Sequence, residues 1–533
     1  MYKNVLKNIG LITTIVIIAN LLAFNAKAQI TLTGQLRTRG ESRNGYANLV
    51  PLDSKNADFI SQRTRLIFGY KWDRLSFGTS LQDVRVWGAD ASSISTTDNR
   101  LLLHEAWAEL TLANKADTTI GFKWFDLMTL KIGRQELIYD DSRLIGNLDW
   151  LQQGRRHDMI LLKTMHHGWQ VDLGFAYNQN TDAAGIVNTD YVPANIPATV
   201  KNSLGTLVAA PAGLIPLAAG GSAANNSAKT GTPVFANPPS TNGATQDYKS
   251  FTSLYISKKF DQTKVSALFF NDNFGKYRLD SVGSVATGYV YGRRFVRTGA
   301  TDTYDYSPVH RYTYGVMVNH TLGNASDFGK FALQAAYYQQ SGHNRDNVSL
   351  DAYHYTVALT YQKDNLSFTP GFDVLSGNDA VNPSGKDNRF DPLYGTPHKF
   401  WGYMDYFYAG SGSAAGGLNN AYFKIKYATN IISLGLDLHN FALSKDMKKA
   451  DGTVISKSLG KEADLQVSYN MNKFTNVEFG YSLMKATDSM PFAKGQATTD
   501  AVASTFGKTG TWAYLMLKFT PDFFYAKPVA IKQ

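Results

Sequence analysis

Hydrophobic and polar residues alternate along almost the whole chain, in runs of about ten residues. In residues 63–72, for example, Leu66 and Phe68 share one face, whereas Arg63 and Arg65 share the other. Successive side chains of a β-strand point to opposite faces, so each run predicts a strand with one apolar and one polar face. The pattern is typical of a membrane barrel with lipid outside and water inside, although a soluble β-sandwich also alternates.

The connections between these runs distinguish a barrel from a sandwich, because short and long connections follow one another in turn. Short ones lie at Asp73, Asp261 and Asp364, and the longest are 180–247 and 379–415. Short periplasmic turns alternating with long extracellular loops, around an even number of strands, are characteristic of outer-membrane barrels. The predicted strands are residues 29–43, 57–72, 74–87, 100–112, 125–137, 155–166, 169–179, 248–260, 262–275, 308–321, 328–342, 349–363, 365–378, 416–428, 430–443, 460–471, 473–488 and 508–521.

The predicted fold is therefore all-β, a transmembrane antiparallel up-and-down β-barrel of about 18 strands that forms a single domain, residues 29–533. Residues 180–247 are rich in Ala, Gly, Asn, Thr and Pro and have no period, which predicts a long loop that is mobile or folded into the lumen. The aromatic-rich residues 398–408 are assigned to the loop 379–415, because a further spanning strand would make the count odd. Residues 522–533 form a C-terminal tail without an assigned role.

The N-terminus has the features of a secretory signal peptide. Lys3 and Lys7 precede an apolar run, residues 9–24, and the small-residue pattern Ala-Lys-Ala follows at 26–28. A basic start, a short apolar run and such a cleavage site predict export and removal of residues 1–28, with an uncleaved anchor as the alternative. These residues contain three lysines and no acid, so cleavage lowers the formal net charge from +10 to +7. No later stretch approaches the roughly 18 apolar residues that a membrane helix needs, so we predict the Gram-negative outer membrane.

Composition narrows the possible chemistry. The absence of cysteine excludes a thiolate nucleophile and Cys-ligated metal, although an exported chain does not need disulfides. The ten histidines have no spacing typical of a metal site, and only His104-Glu105 and His157-Asp158 place a histidine beside an acid. A barrel hydrolase that pairs one of these with a serine is thus the less favoured alternative. We predict no enzymatic activity, no catalytic residue, no cofactor and no metal.

The polar parity of the strands identifies the residues that face the lumen. It places Arg37, Arg39, Arg63 and Arg65 there in the first third of the chain, followed by Lys131. A row of basic side chains in a narrow lumen attracts anions, and the resulting electrostatic field makes the pore selective for them. The alternative is that the charges of a polar lumen only neutralise one another.

Parity alone does not decide which face of the barrel wall some charged residues take. In the strand 74–87 the alternation breaks, which predicts a β-bulge that turns Asp83 and Arg85 inward. Glu105 is expected in the lumen, where it would pair with arginines and hold them apart. Arg134 lies on the lipid-facing parity, which is acceptable only near the rim or at a local bulge.

The densest charge cluster of the chain lies in residues 131–163 and includes Arg134, Arg143, Arg155 and Asp158. It is predicted to form two adjacent strands joined by an outer loop, with the arginines in the extracellular half of the pore. In the strand 155–166 either face could point inward. We expect this segment to lie close to whatever the protein binds.

The sequence GRQELIYDDSRLIGNLDWLQQGRRHD, residues 133–158, resembles the core signature of the alginate-export outer-membrane porin family. Further similar blocks are SQRTRLIFGYKW at 61–72, LQDVRVWG at 81–88 and HKFWGYMDYF at 398–407. The resemblance implies an outer-membrane barrel with an arginine-rich constriction that passes an anionic polysaccharide. The residues it assigns to the motif are Arg63, Arg65, Asp83, Arg85, Arg134, Arg143, Arg155 and Asp158.

The predicted function is an outer-membrane channel with a basic lumen that passes an anionic polysaccharide or oligosaccharide. The alternative is a general anion or small-solute porin for uptake, and the substrate and direction of transport stay open. The expected partners are an anionic polysaccharide or another organic anion and outer-membrane lipid, with periplasmic export or uptake proteins as further candidates and no nucleic acid.

Overall fold

The structure is a computed structural model that describes most of the chain after Gln29. Within the described part, no helix has both the length and the apolar character to cross a membrane. The predicted signal peptide, residues 1–28, lies outside the described residues. The described ranges are 29–89, 101–179, 191–192, 196–218, 232–234, 248–295, 303–305, 307–408 and 414–525.

Eighteen antiparallel strands form one closed barrel, which confirms the predicted fold class. Each strand pairs with its neighbours along the chain, and the last strand pairs with the first, with Phe519 opposite Leu36. Every predicted strand is present, and the differences are confined to strand ends. The strands are β1 (Gln29–Asn44), β2 (Ala57–Trp72), β3 (Leu75–Val86), β4 (Leu101–Asn114), β5 (Leu127–Gln135), β6 (His157–His166), β7 (Trp169–Tyr177), β8 (Ser250–Phe260), β9 (Thr263–Phe274), β10 (Val309–Asn324), β11 (Gly329–His343), β12 (Ser349–Lys363), β13 (Leu366–Leu375), β14 (Leu418–Ala428), β15 (Ile432–Ala442), β16 (Ser458–Asn472), β17 (Thr475–Ala486) and β18 (Thr509–Phe519).

Local chemistry explains both the strands and their short turns. Outward residues such as Val316 and Val357 are exposed on the outer surface, where lipid rather than water surrounds a membrane barrel. Asp73, Asp261 and Asp364 have φ values of 51°, 50° and 49° at the short turns, a conformation that aspartate tolerates better than most residues. We assign this end of the barrel to the periplasm and the long connections to the outside.

The residues after β18 complete the seam of the barrel. Because β18 pairs only with residues 36–44 of β1, the first part of β1 needs another partner on this side. The amide of Gly34 donates to the carbonyl oxygen of Pro521 at 2.9 Å, and the amide of Phe523 donates to that of Leu32 at 3.0 Å. The beginning of the tail thus extends the pairing, whereas residues 526–533 lie outside the described part.

Parts of the long loop 180–247 are folded, although the sequence has no period there. Short strands occur at Thr199–Lys201, Leu207–Ala209, Leu214–Ala218 and Thr232–Pro233. The last two join two strands of the β9–β10 connection, Arg278–Ser284 and Gly288–Arg294, in a small four-stranded sheet. This pairing between two loops links segments far apart in sequence, which periodicity within one segment does not reveal.

Candidate substrate pathway

Four arginines, Arg37 and Arg39 on β1 and Arg63 and Arg65 on β2, point into the lumen. Strand pairing sets Arg37 directly opposite Arg63, so the four form one basic patch on the wall. All four are nevertheless buried, and Arg63 is 0% exposed. A buried guanidinium needs acceptors for its N–H groups. The loop between β5 and β6 supplies them.

This loop, residues 136–156, turns into the barrel, and we call it the crossing loop. Arg37 Nη1 donates to the carbonyl oxygen of Asp149 at 2.7 Å. Arg39 Nη1 donates to the carbonyl oxygen of Trp150 at 3.0 Å, and its guanidinium carbon lies 4.2 Å from the Trp150 ring centroid. The basic patch therefore binds the backbone of the loop.

The Asp149 carboxylate is the charged anchor of the crossing loop on the β1–β2 wall. Its Oδ1 lies 2.9 Å from Arg63 Nη2 and 3.4 Å from Arg65 Nη1, and its Oδ2 lies 3.4 Å from Arg37 Nη1. Burial opposes ionisation of this carboxyl, but Arg63, Arg37 and Arg65 outweigh it and hold the pKa of Asp149 below its ordinary value. Asp149 is thus a carboxylate at neutral pH.

A second anchor, Asp140, fixes the crossing loop to the β8–β9 wall. Its Oδ1 accepts hydrogen bonds from the Tyr255 hydroxyl at 2.8 Å and from Lys264 Nζ at 3.2 Å. Its Oδ2 accepts one from the Ser266 hydroxyl at 2.9 Å. Arg143 makes a third anchor, because its Nη1 lies 2.8 Å from Oδ1 of Asp373 on β13. Three anchors on three parts of the wall carry the loop across the lumen.

A second inward segment, residues 390–408 of the β13–β14 connection, packs beside the crossing loop, and we call it the filling segment. Ile145 forms a parallel β-bridge with Tyr394. The Trp150 ring stacks on the His398 ring with a centroid distance of 4.4 Å. Arg155 is buried between the two and donates to the carbonyl oxygen of Gly395 at 2.8 Å.

The filling segment turns the extracellular half of the lumen into a packed core. Trp401, Tyr406 and Phe407 are at most 1% exposed and belong to the main apolar cluster of the molecule. Its backbone is held by two acids of β16. The amide of Met404 donates to Glu462 Oε1 at 2.8 Å, and the amide of Tyr403 donates to Asp464 at 3.3 Å.

Asp83 and Arg85 lie on the outer face, so the prediction that a bulge in β3 turns them inward was wrong. The extra residue is His104 of β4, because Ser80 pairs with Glu105 and the next pair is Leu81 with Leu103. A bulge shifts the parity of the strand that contains it. β3 keeps its alternation, and Asp83 and Arg85 bind each other outside at 2.6 Å.

Arg134 and Asp158 also face outward, so the expectation that they line the lumen was wrong, whereas the lipid-facing parity of Arg134 is confirmed. They lie directly opposite each other on β5 and β6 and form a bidentate pair, with two N–O distances of 2.8 Å. The next outward pair, Ile132 and Ile160, is exposed on the same face. Because His157 is buried on the inner face, the side chains of His157 and Asp158 point to opposite sides of the wall.

Glu105 and Lys131 face inward beside the basic patch, but each has a local partner. Glu105 Oε1 accepts a hydrogen bond from the amide of Glu136 at 3.2 Å, at the start of the crossing loop. Lys131 Nζ lies 3.7 Å from the ring centroid of Trp107. These side chains shape the wall at the base of the loop.

Three lysines line the open part of the lumen, together with Asp437 and Asp464. Two adjoining cavities of about 400 and 280 Å³ lie on the periplasmic side of the two loops. Lys399 of the filling segment and Lys424 of β14 line both cavities, and Lys426 lines the smaller one. Parity predicts Lys424 and Lys426 in the lumen, but Lys399 belongs to a loop, and only its place in the fold reveals its role.

Aromatic rings lie beside these lysines. Phe400 and Tyr422 line the larger cavity, and Tyr403 lines the smaller one. Tyr422 lies flat against Gly371 of β13, where a Cβ atom would come within 2.2 Å of its Cζ. Any side chain at position 371 would displace this ring, so the glycine fixes its orientation.

The family model for alginate export matches residues 28–178 of this chain. The resemblance to the alginate-export family is confirmed. The match covers β1 to β7 and includes the crossing loop and all four arginines of the basic patch. The alginate-export signature thus coincides with the elements that build this part of the lumen.

Over most of the chain, the structure resembles solved Pseudomonas aeruginosa proteins. OpdO has a TM-score of 0.51 at 10% identity, over 93% of this chain and 98% of that chain. OccK11 (OpdR) has a TM-score of 0.50 at 10% identity, over 93% of this chain and 97% of that chain. No curated protein matches this sequence. The similarity shows the fold, and together with the alginate-export match it supports an outer-membrane porin.

Proposed function

We propose that this porin passes anionic sugars, as short carboxylated oligosaccharides or related organic anions, through the lysine-lined part of its lumen. The observation that carries the proposal is the convergence of Lys399, Lys424 and Lys426 on one open space from two separate elements. The same proposal includes secretion of the chain itself through a cleaved signal peptide, with periplasmic export or uptake proteins as further candidate partners.

The charges around this space favour an anion. Lys424 Nζ forms an ion pair with Asp437 at 2.6 Å, whereas Lys399 and Lys426 are exposed to the lumen. Asp464 also lines the smaller cavity, but it is buried, and its carboxylate accepts a hydrogen bond from the backbone amide of Tyr403. Exposed positive charges in a narrow space with low-dielectric walls concentrate anions.

The aromatic rings favour a sugar over a small inorganic ion. Phe400, Tyr403 and Tyr422 present apolar surfaces next to the lysines. Rings of this kind pack on the apolar faces of sugars, while ammonium groups attract their carboxylates. Because the crossing loop and the filling segment narrow the lumen, the proposal favours short chains over a long extended polymer.

Reversal potentials of the purified protein in planar bilayers under a KCl gradient test anion preference. We expect the wild type to prefer anions, and the double substitution Lys399→Glu and Lys426→Glu to reduce or invert that preference, because it places two negative charges in the open lumen. Lys485→Glu is the matched control, since Lys485 lies at an outward position of β17. A cation-selective wild type, or an equal effect of Lys485→Glu, contradicts the proposal.

A current-block measurement separates an anionic-sugar channel from a general small-solute porin. An oligouronate should reduce the KCl current at a lower concentration than a neutral oligosaccharide of the same length. Tyr403→Ala should weaken the block by both sugars, because it removes a ring from the smaller cavity. Equal block by charged and neutral sugars in the wild type favours the general porin.

A further inference from the structure

We propose that the lipid-facing wall of β16 and β17 binds a phosphate group of an outer-leaflet glycolipid through Lys461 and Lys485. Strand pairing places these two lysines directly opposite each other. Both side chains are exposed on the outer face, at the end of the barrel that bears the long connections. The outer leaflet of a Gram-negative outer membrane consists of phosphorylated glycolipids. The site lies outside the lumen, so it does not depend on what the channel passes.

The two ammonium groups form a pair of like charges without an acid between them. Like charges at directly opposite positions of neighbouring strands destabilise a sheet. Within the described part of the chain, neither lysine forms an ion pair with a carboxylate, and Lys485 Nζ donates to the neutral hydroxyl of Thr509 at 3.3 Å. The nearby acid Asp488 of the β17–β18 loop already pairs with Lys508. An external anion is therefore the counter-ion that this pair can bind.

Three basic residues elsewhere on the outside of the extracellular rim have acids of this chain as partners. The pairs are Arg85 with Asp83, Arg134 with Asp158, and Lys386 with Asp351. An internal carboxylate leaves little charge for an external phosphate to neutralise. The contrast identifies the wall of β16 and β17 as the part of this rim that favours an anionic headgroup.

The lysines also mark the level at which polar positions give way to the apolar band of the wall. One polar row crosses β15 to β18 and contains, in strand order, Asn440, Lys461, Lys485 and Thr509. Two outward positions nearer the periplasm, Leu465 lies opposite Tyr481, and both are exposed. A glycolipid whose acyl chains lie along this apolar surface places its phosphates at the lysine row. Free phosphate gains nothing from the apolar surface, so the position favours a lipid.

The wall behind the lysines is held in place from inside the barrel. Glu462 and Met484, the inward neighbours of the two lysines, lie opposite each other and are buried. Glu462 Oε1 accepts a hydrogen bond from the amide of Met404 in the filling segment at 2.8 Å. Because the filling segment fixes both strands, the two lysines are presented at a constant spacing, which lowers the cost of binding.

Titration of the purified full-length protein with diphosphoryl lipid A, followed by native mass spectrometry, tests the site. In dodecyl maltoside micelles, Lys461→Gln combined with Lys485→Gln should weaken lipid A binding at least about tenfold, because both attractive charges are lost. Lys276→Gln combined with Lys386→Gln is the matched control, since it removes two extracellular lysines that pair with acids at 2.7 and 3.2 Å. Equal weakening in the control would overturn the site.

Two further ligands, tested on the wild type, need no variant to fold. Lipid A without its phosphates should bind at least about tenfold more weakly, and equal binding would overturn phosphate recognition. Lipid A should also raise the temperature at which the heat-modifiable form is lost on unboiled gels, whereas sodium phosphate alone should not. Equal stabilisation by sodium phosphate would indicate a site for free phosphate and overturn the assignment to a lipid.

Lys461→Arg combined with Lys485→Arg separates charge from fold. This variant keeps both positive charges and should retain wild-type lipid A binding, so loss of binding would contradict a charge-based site. The double glutamine variant should keep the wild-type reversal potential, because both side chains lie outside the lumen. A changed reversal potential would place them in the ion pathway and overturn the site, whatever solute the channel passes.

Discussion

At the scale of single residues, burial decides which charge a solute meets. Arg63 of β2 and Lys426 of β14 both point into the lumen from polar positions of alternating strands, but Arg63 is covered by the crossing loop and Lys426 is open to the cavity. A buried guanidinium must be hydrogen-bonded to the groups that cover it, because an unpaired buried charge is costly. The arginines of the basic patch therefore hold the crossing loop, whereas Lys426 lines an open cavity.

The ionic contacts of Asp149 with the arginines should weaken as the pH falls, but not as it rises. Because the arginines lower the pKa of Asp149 in the folded protein, its ionic contacts are complete above about pH 4, the ordinary aspartate pKa. They are lost as the pH falls through the lower folded value. We expect steady conductance from pH 8 to 5 and a rise in loop-dependent current fluctuations at more acid pH. Asp149→Asn should show these fluctuations already at pH 7, and their absence there contradicts the anchor.

At the scale of elements, the seam between β1 and β18 is closed by pairing between residues far apart in sequence. β18 ends at Phe519, but β1 begins at Gln29, so the two strands are out of step at the periplasmic end. Residues 520–523 bridge this offset through backbone hydrogen bonds to Leu32 and Gly34. Unpaired backbone groups are costly in a membrane barrel, so a covered seam matters for assembly.

Truncation tests the role of the seam residues. A chain that ends at Phe519 should lose the hydrogen bonds to Leu32 and Gly34, each of which would leave a group whose desolvation costs about 1–3 kcal/mol. We expect less of the compact, heat-modifiable form on unboiled gels and a lower temperature for its loss. A chain that ends at Tyr525 is the control and should behave like the full-length protein. Equal behaviour of both truncations would show that the seam closes without this segment.

At the scale of the whole molecule, two inward loops convert a wide barrel into a restricted channel. The crossing loop joins three parts of the wall, and the filling segment buries large aromatic rings in the extracellular half. The solute path is consequently determined by loops that contact strands far apart in sequence. The strands form the frame, and the two loops narrow the lumen inside it.

Replacement of residues 398–408 by a Gly/Ser linker of equal length tests this division of roles. We expect conductance to rise several-fold and larger polyethylene glycols to enter, because the buried rings no longer fill the lumen. The same replacement in residues 448–454, which lie mostly exposed in the β15–β16 loop, is the control and should change neither. An unchanged polymer cut-off in the first variant would show that another element limits the pore.

The sequence by itself determined the 18-stranded barrel and the inward parity of Arg37, Arg39, Arg63 and Arg65. These features depend on two local signals, the alternation within a strand and the turn residues such as Asp73. Tertiary structure decided the outward placement of Asp83, because the bulge lies in the neighbouring strand at His104. It also decided that the arginines bind the crossing loop while Lys399 lines the open lumen. The contacts of the arginines and the position of Lys399 depend on where two long loops pack, and that packing is set by contacts between segments that no local pattern connects.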